Sequence, residues 1–503
     1  MLFKRGNRRR IEKKAQEKPL TLIEKVTENI KDHEDLITRT FEKLDVKITL
    51  YFIQTLVDQK VIDLNILNVI QHHIKDEISY SVLENKLPVS QINRSNDAKI
   101  ISENIRAGSV FIHFDQEEEG ILVHLCKNVE RSIASSENES LIFGPNLAFT
   151  DSLETNIHLI QRKVRDENLC FEKLMIGERN HTEVRLVYLK DLTDESVVNT
   201  VRQRLEDLTV DDMVDSSVLA QYLDDNEFSL FPQTLLTELP DRVSFLLSKG
   251  KIAILADRST NAIICPTSFS SFFETTDDVY TRWNIGTFLR MVRYIAMILS
   301  VLLTPAYVAS LTYHYEIIPS ALLVTLGQSR ANVPFPPVFE ALVLEFILEL
   351  LREAGARLPT KVGQTMGIVG GIVIGQAAVE AGFTSNILII IVALSALGTF
   401  TTPSYTMGAV IRIIRFPLII LAGLWGAIGI VVGIIYLMLH LLQLTSMGQP
   451  YMVPAYPFRF GDLKDSIVRI PYSYSNKRPV SNRPQDPDRY PAKEAKTKKD
   501  PSE

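Results

Sequence analysis

The chain has 503 residues, 23% of them charged and 46% hydrophobic, with a formal net charge of −6. These averages describe an ordinary soluble protein of about three domains, but the charge is unevenly placed. Long apolar stretches fall between Tyr294 and Leu444, and most charge lies before Trp283 and after Gly461. That division excludes a simple soluble enzyme and a fully disordered chain, and it predicts an integral membrane protein carrying a large polar domain.

The first eighteen residues include Lys4, Arg5, Arg8, Arg9, Arg10, Lys13, Lys14 and Lys18. Such a block suits a solvated tail or attraction to anionic lipid at the cytoplasmic face. No apolar core follows within thirty residues, so no secretory signal is expected. Residues 1–40 read as this basic tail and a charged helix. KITLYFI (47–53) is rich in strand formers, and 61–70 reads as a helix. Residues 109–114 and 120–125 read as strands about the acidic turn Glu117-Glu118-Glu119.

A second alternating stretch starts near Leu169. EVRLVYL (183–189) reads as a strand, 195–208 as an amphipathic helix, and 241–248 as a helix before Gly250. Residues 251–256 and 261–265 then read as two strands. Strands interleaved with helices predict two α/β subdomains, 41–163 and 164–285. Cys126, Cys170 and Cys265 form no CxxC pair, and an odd count is no disulfide framework, so a reducing compartment is expected.

Residues 286–445 read as a helical transmembrane domain. The apolar run 294–311 follows Arg290 and Arg293, which places the preceding domain in the cytoplasm by the positive-inside rule. Residues 317–327 are too short to span, and the prolines of PFPP (334–337) cannot lie inside a helix. Helical 338–353 carries Glu340, Glu345 and Glu349, and 362–381, 387–402 and 416–442 are further spanning candidates. If 317–353 forms one crossing, five spans result and the C-terminus lies outside. If it forms a re-entrant pair, four spans result and the C-terminus lies inside. The basic segment 477–499 favours four, whereas Arg352, Arg357 and Lys361 favour five. Residues 446–503 read as a polar basic tail.

The chain has no GxxxxGK[ST], no histidine pair at metalloprotease spacing and no GxSxG. No convergent catalytic set is seen, so neither an enzyme, a cofactor nor a metal is expected, and nucleic acid is not an expected partner. Instead, Gly363, Gly367, Gly371 and Gly375 recur every four residues. On a helix they form a groove without side chains that a neighbouring helix can approach closely, within the chain or between subunits. Thr365, Val369, Ile372, Val373, Gln376 and Glu380 share the opposite sector. With the glycines packed on a neighbouring subunit, this face lines a pore. Val369, Ile372 and Val373 then form a hydrophobic gate and Glu380 a cation-attracting ring. The alternative places Glu380 at the membrane surface. Glu345, Glu349, Arg352 and Glu353 form one stripe, and the like-charge pair Glu345–Glu349 suits a water-filled vestibule, a partner contact or the lipid headgroups.

PFPPVFEALVLEFILELLREAGARLPTKVGQTMGIVGGIVIGQAAVEAG (334–382) strongly resembles the signature of the A subunit of GerA-type spore germination receptors. FSLFPQTLLTELPDRV (228–243), GKIAILADRSTNAIICP (250–266), RIIRFPLIILAG (412–423) and DLKDSIVRIP (462–471) resemble further family segments. Leu239 stands where the pattern usually has arginine, and Arg258-Ser259-Thr260 replaces Gly-Thr-Pro. The resemblance implies a subunit in the inner membrane of bacterial spores. It implies as partners a transporter-like B subunit that senses nutrient and a lipoprotein C subunit. It also implies an oligomeric channel for monovalent cations that opens when nutrient binds. The paralogous stage V sporulation protein AF shares the signature, and a non-conducting scaffold that relays a signal fits the same domain plan.

Overall fold

The computed structural model describes residues 21–30, 35–44, 46–74, 78–89, 92–115, 117–125, 139, 144–145, 147–359, 371–471 and 474–490. The chain falls into two compact units, residues 1–130 with 164–172 and residues 131–163 with 173–503.

In the first unit β1 (Leu36–Lys43), β2 (Val46–Ile53), β3 (Ile92–Ser95), β4 (Ser109–Phe114) and β5 (Gly120–His124) form one sheet in the order β1-β2-β4-β5-β3. All its pairs are antiparallel. Central β4 is buried at all six positions, while edge strand β1 exposes Thr38, Arg39 and Thr40. Charged side chains at an edge blunt it against further pairing. The Ala98–Arg106 helix starts at Asp97, whose carboxylate accepts from the Lys99 amide. Ile101 and Ile105 of this helix join the core of Ile48, Leu50, Phe111 and Ile121. Residues 36–40, expected in a tail and helix, belong to β1; the helix before them is Leu22–Ile30.

The other sheet, which from Lys173 onward belongs to the second unit, is also antiparallel. β6 (Leu169–Ile176), β7 (Thr182–Leu189), β8 (Leu235–Thr237), β9 (Ile252–Ala256) and β10 (Ala262–Cys265) lie in the order β6-β7-β9-β10-β8. The runs IAILA and AIIC are wholly buried, as expected for strands covered on both faces. Helix Pro240–Leu247 carries its proline in the first turn, where the missing amide is harmless. Arg258 keeps a φ of 61° at the position where the family pattern has glycine. Next to it, Ser259 is held by Ser216 Oγ at 2.6 Å and Asp215 Oδ1 at 2.5 Å. The N-terminal region is thus α/β, with two antiparallel sheets.

Helix Trp283–Thr312 and the helical run Tyr405–Gln443, taken by length and composition, are apolar enough to cross a bilayer. Pro337–Arg357 begins at the last proline of PFPP. Asn386–Phe400 runs antiparallel to Trp283–Thr312, with Tyr307 Oη 3.2 Å from Ser385 Oγ and Ser300 Oγ 2.7 Å from Thr399 Oγ1.

The run 416–442, expected as one span, is broken at Gly426, whose φ of 61° and ψ of −138° are not helical. Leu418 and Gly433 would stand about 22 Å apart on a straight helix. A methyl group on Gly433 would instead collide with the Leu418 side chain. The helix therefore folds into a hairpin with arms 405–425 and 427–443. Both arms return to the second α/β sheet: His440 Nε2 lies 3.0 Å from Ser229 Oγ, and Thr406 and Val410 line a cavity with Ser229. At the tip, Tyr313 Oη donates to the Leu424 carbonyl at 2.8 Å. Only glycine takes this φ readily, and a Cβ would lie 3.0 Å from that of Tyr313.

The described residues 444–471 and 474–490 form a folded segment rather than a free tail. Ser446 Oγ donates to Gln233 O at 2.6 Å, Asn482 Nδ2 to Lys249 O at 2.9 Å and Gln485 Nε2 to Thr193 O at 2.8 Å. Tyr451 is fully buried, with its hydroxyl on Pro232 O at 2.7 Å.

Candidate functional site

The apolar helices meet around one arginine. Arg415, in the first arm of the hairpin, is 2% exposed. Its Nη1 donates to Glu345 Oε2 at 2.6 Å, and its Nη2 donates to Ser300 Oγ at 2.7 Å and Thr399 Oγ1 at 2.9 Å. Thr304 Oγ1 donates to the other Glu345 oxygen at 3.0 Å. Four helices are therefore tied at one guanidinium. A charge in an apolar bundle must be paired and hydrogen-bonded, because water cannot solvate it there. One turn away, Arg412 Nε donates to Glu349 Oε1 at 3.1 Å, and Arg352 stacks over the Phe400 ring at 4.8 Å. Nearer the tip, Arg330 Nη2 donates to Glu340 Oε1 at 2.7 Å.

These pairs correct the reading of Glu345. It is 5% exposed and ion-paired, so it does not face a water-filled vestibule. Glu349 is half-exposed and paired. The like-charge spacing of Glu345 and Glu349 is tolerated because Arg412 and Arg415 meet it with matching spacing on the facing helix.

Helix Gly371–Glu380 is different. Ile372 is 62% and Val373 57% exposed, and Gln376 Nε2 donates to the exposed Glu380 Oε1 at 2.9 Å. Among the described residues, a Cβ added at Gly371 or Gly375 meets no atom within 4 Å. Gly398 shows the contrast, since a Cβ there would come 2.6 Å from Ala296 O in the helix it packs on. Gly363, Thr365, Gly367 and Val369 lie outside the described residues.

Against the known proteins, the family model described as Bacillus/Clostridium GerA spore germination protein matches residues 24–481. The chain belongs to the GerA spore germination family. It is 44% identical over 455 residues to spore germination protein GerQA of Bacillus cereus, which covers 90% of this chain and 91% of that protein. It is 35% identical over 478 residues to spore germination protein KA of Bacillus subtilis (strain 168), covering 92% and 88%. Among solved structures, the N-terminal domain of the A subunit of the Bacillus megaterium spore germinant receptor GerK3 aligns at 22% identity with a TM-score of 0.36. That alignment covers 48% of this chain and 92% of that one.

Two joints of this GerA-family chain tie the apolar helices to the second sheet. At the first, the buried Asp278 carboxylate accepts from Arg290 Nε and Arg293 Nη1, both at 2.9 Å. Burial opposes its ionisation, but the bonds and charges of Arg293 and Arg290 prevail and hold the carboxyl below the usual carboxylate range. At the second, Asp225 accepts from Arg204 Nη1 at 2.6 Å, from Gly448 N at 3.0 Å and from Thr445 Oγ1, just beyond the last apolar helix. Burial again opposes ionisation there, and these three donors outweigh it, so its pKa is also lowered. Neighbouring Asp224 is pushed up to about 7 by burial. Sequence reasoning missed both joints, because their members are scattered along the chain and bear no spacing signature.

The first joint has a pH signature. A depressed carboxylate pKa gives stability that is present above the unfolded value of about 3.9 and lost as pH falls through the folded one. Asp278→Asn is expected to lower stability at pH 7 by about 1.5–3 kcal/mol, the worth of hydrogen bonds to charged groups. The gap from the parent should shrink as pH drops below about 4. Melting curves of both proteins from pH 7 to pH 3 check this; a constant gap would contradict it.

Proposed function

We propose that this chain is the channel-forming membrane subunit of a spore nutrient germinant receptor, multi-pass in the inner membrane of the spore with its α/β region in the cytoplasm. In this reading several copies assemble through Gly363, Gly367, Gly371 and Gly375. The sector of Thr365, Val369, Ile372, Val373, Gln376 and Glu380 lines a path for monovalent cations. The observation that carries it is the state of helix Gly371–Glu380: among the described residues a Cβ at Gly371 or Gly375 meets no atom within 4 Å, and Ile372, Val373 and Glu380 are exposed. A glycine groove gains stability from close contact with another helix, and a carboxylate avoids lipid. A second copy on one face and water on the other satisfy both. Packing of Ser446, Tyr451, Asn482 and Gln485 against the second α/β region supports an even number of crossings and a cytoplasmic C-terminal segment.

The transporter-like B subunit senses nutrient in this reading, and the lipoprotein C subunit completes the receptor. Cation flux through the purified chain in liposomes, with and without its B subunit, tests the proposal. Nutrient-dependent flux with both subunits is the expected result. Absence of flux in every combination would favour a scaffold.

The glycine contact has its own test. Gly371→Leu meets open space among the described residues, so the monomer should fold and melt as the parent does. The same side chain would separate helices packed between copies. Crosslinking and gel filtration should show loss of the oligomer, and a normal oligomer would sink the contact.

A further inference from the structure

We propose that the loop 226–231 of the second α/β region is seated on the bilayer, with Phe228 and Leu230 entering the boundary between headgroups and hydrocarbon. This rests on the reading of the hairpin as membrane-spanning and adds a lipid contact made by the polar region itself. Phe228 is 97% and Leu230 54% exposed. The loop that carries them is nevertheless braced. Asn226 N donates to Gln233 Oε1 at 3.0 Å, and the buried Gln233 returns a bond from Nε2 to Asn226 O at 2.8 Å. Phe228 N donates to Asn226 Oδ1 at 3.0 Å, and Phe231 N to Ser229 Oγ at 3.1 Å. Two large apolar side chains therefore stay outside the core on a backbone tied in place, at a cost in water that burial elsewhere recovers.

The position of the loop says where they go. Ser229 Oγ lies 3.0 Å from His440 Nε2, and the Phe231 ring is centred 6.0 Å from the His440 ring, near the end of arm 427–443. Phe228 and Leu230 line a cavity with Thr406 and Val410, at the start of arm 405–425. The loop thus meets the roots of both arms. Tyr222, which lines the same cavity, and Tyr405 are also exposed, and tyrosines are favoured at the membrane–water interface.

The length of the hairpin fixes the depth. Arm 427–443 rises about 25 Å at 1.5 Å per residue, whereas the hydrocarbon core is about 30 Å thick. The tip belongs in the far interface, because the break at Gly426 releases backbone groups that hydrocarbon cannot satisfy, and a Cβ there would lie 2.8 Å from His314 Nε2. The root of the arm then falls about 5 Å short of the near edge of the core, and the loop bonded to it is drawn down to the lipid. A bilayer that thins around the short arm brings its headgroups to the same loop. Exposed Glu227 keeps its charge in the hydrated headgroup layer.

The test uses the purified full chain, without other receptor subunits, in nanodiscs of brominated phosphatidylcholine. The chain carries Cys126→Ser and one introduced cysteine labelled with bimane; Cys170 and Cys265 are buried. Emission from Phe228→Cys should fall at least twofold relative to unbrominated lipid. Val214→Cys should be unaffected. Val214 is exposed and adjoins Asp215, which bonds Ser259 before β10, while Thr267 after β10 is the residue whose amide donates to Ser446 Oγ at 2.9 Å beside the hairpin root. Tyr436→Cys, at an exposed position on arm 427–443, reports the hairpin itself and should be quenched. Quenching at Tyr436→Cys without quenching at Phe228→Cys would overturn the loop contact and leave the spanning hairpin standing. Quenching at neither would overturn both, and equal quenching at Val214→Cys would remove the loop's distinction. A Phe228→Cys probe that lipid leaves bright, and that is shielded from water only when the B subunit is added, would make the loop a protein contact and overturn the proposal.

Discussion

Arg415→Leu is expected to destabilise the apolar helices by about 3–5 kcal/mol, the cost of leaving one member of a buried ion pair behind. The stranded group is Glu345, buried and 2.6 Å from the lost guanidinium. Glu345→Leu should fail in the same way, because Arg415 would keep its charge without a counter-ion. The double variant should recover most of the loss. With both charges gone, Ser300 and Thr399 still satisfy one another at 2.7 Å, and leucines of similar bulk fill the space. Protein level in the membrane fraction and the unfolding midpoint in detergent give the three values. If the double variant is as damaged as the sum of the singles, the two residues act independently and the node is not the link between the four helices.

That node shows how much the sequence carried. Arg412 and Arg415 stand three residues apart in an apolar run, and Glu345 and Glu349 four apart in another. Two cations and two anions at helical spacings, all needing partners, are a legible signal for facing helices. The sequence reading left the glutamates to a water-filled vestibule, a partner contact or the headgroups, because it weighed them within their own helix and did not match them to Arg412 and Arg415. Fully apolar strands were the easiest elements to recognise, since IAILA and AIIC have no other stable environment. Edge strand β1 was missed for the opposite reason: LITRTFEK carries charge on an exposed ladder and lacks alternation. Gly426 was hidden by its surroundings. Both arms of the hairpin are apolar, so hydrophobicity reads straight through the turn, and a lone glycine in such a run usually signals packing. The folded C-terminal segment was read as a tail because its charge dominates its composition, although the fully buried Tyr451 helps anchor it in the core.

The proposed gate predicts a contrast between two kinds of variant on one helix. Ile372 and Val373 are exposed in the single chain, and a ring of such side chains around a narrow path excludes ions by dewetting it. Val373→Ala widens that path, and Val369→Ser makes it easier to wet. Both should give leak without nutrient, read as cation loss from liposomes or as spores that fail to stay dormant. Glu380→Gln removes charge at the entrance without changing width. Among the described residues its only bond is from the exposed Gln376 amide at 2.9 Å, which a glutamine oxygen can also accept, so the helix should be unharmed. Cation flux should therefore fall while closure stays intact. General destabilisation cannot imitate this pattern, because it would weaken every variant in one direction. Gate variants that are merely inactive, together with a Glu380→Gln that conducts like the parent, would remove this helix face from the pore and leave the scaffold as the better account.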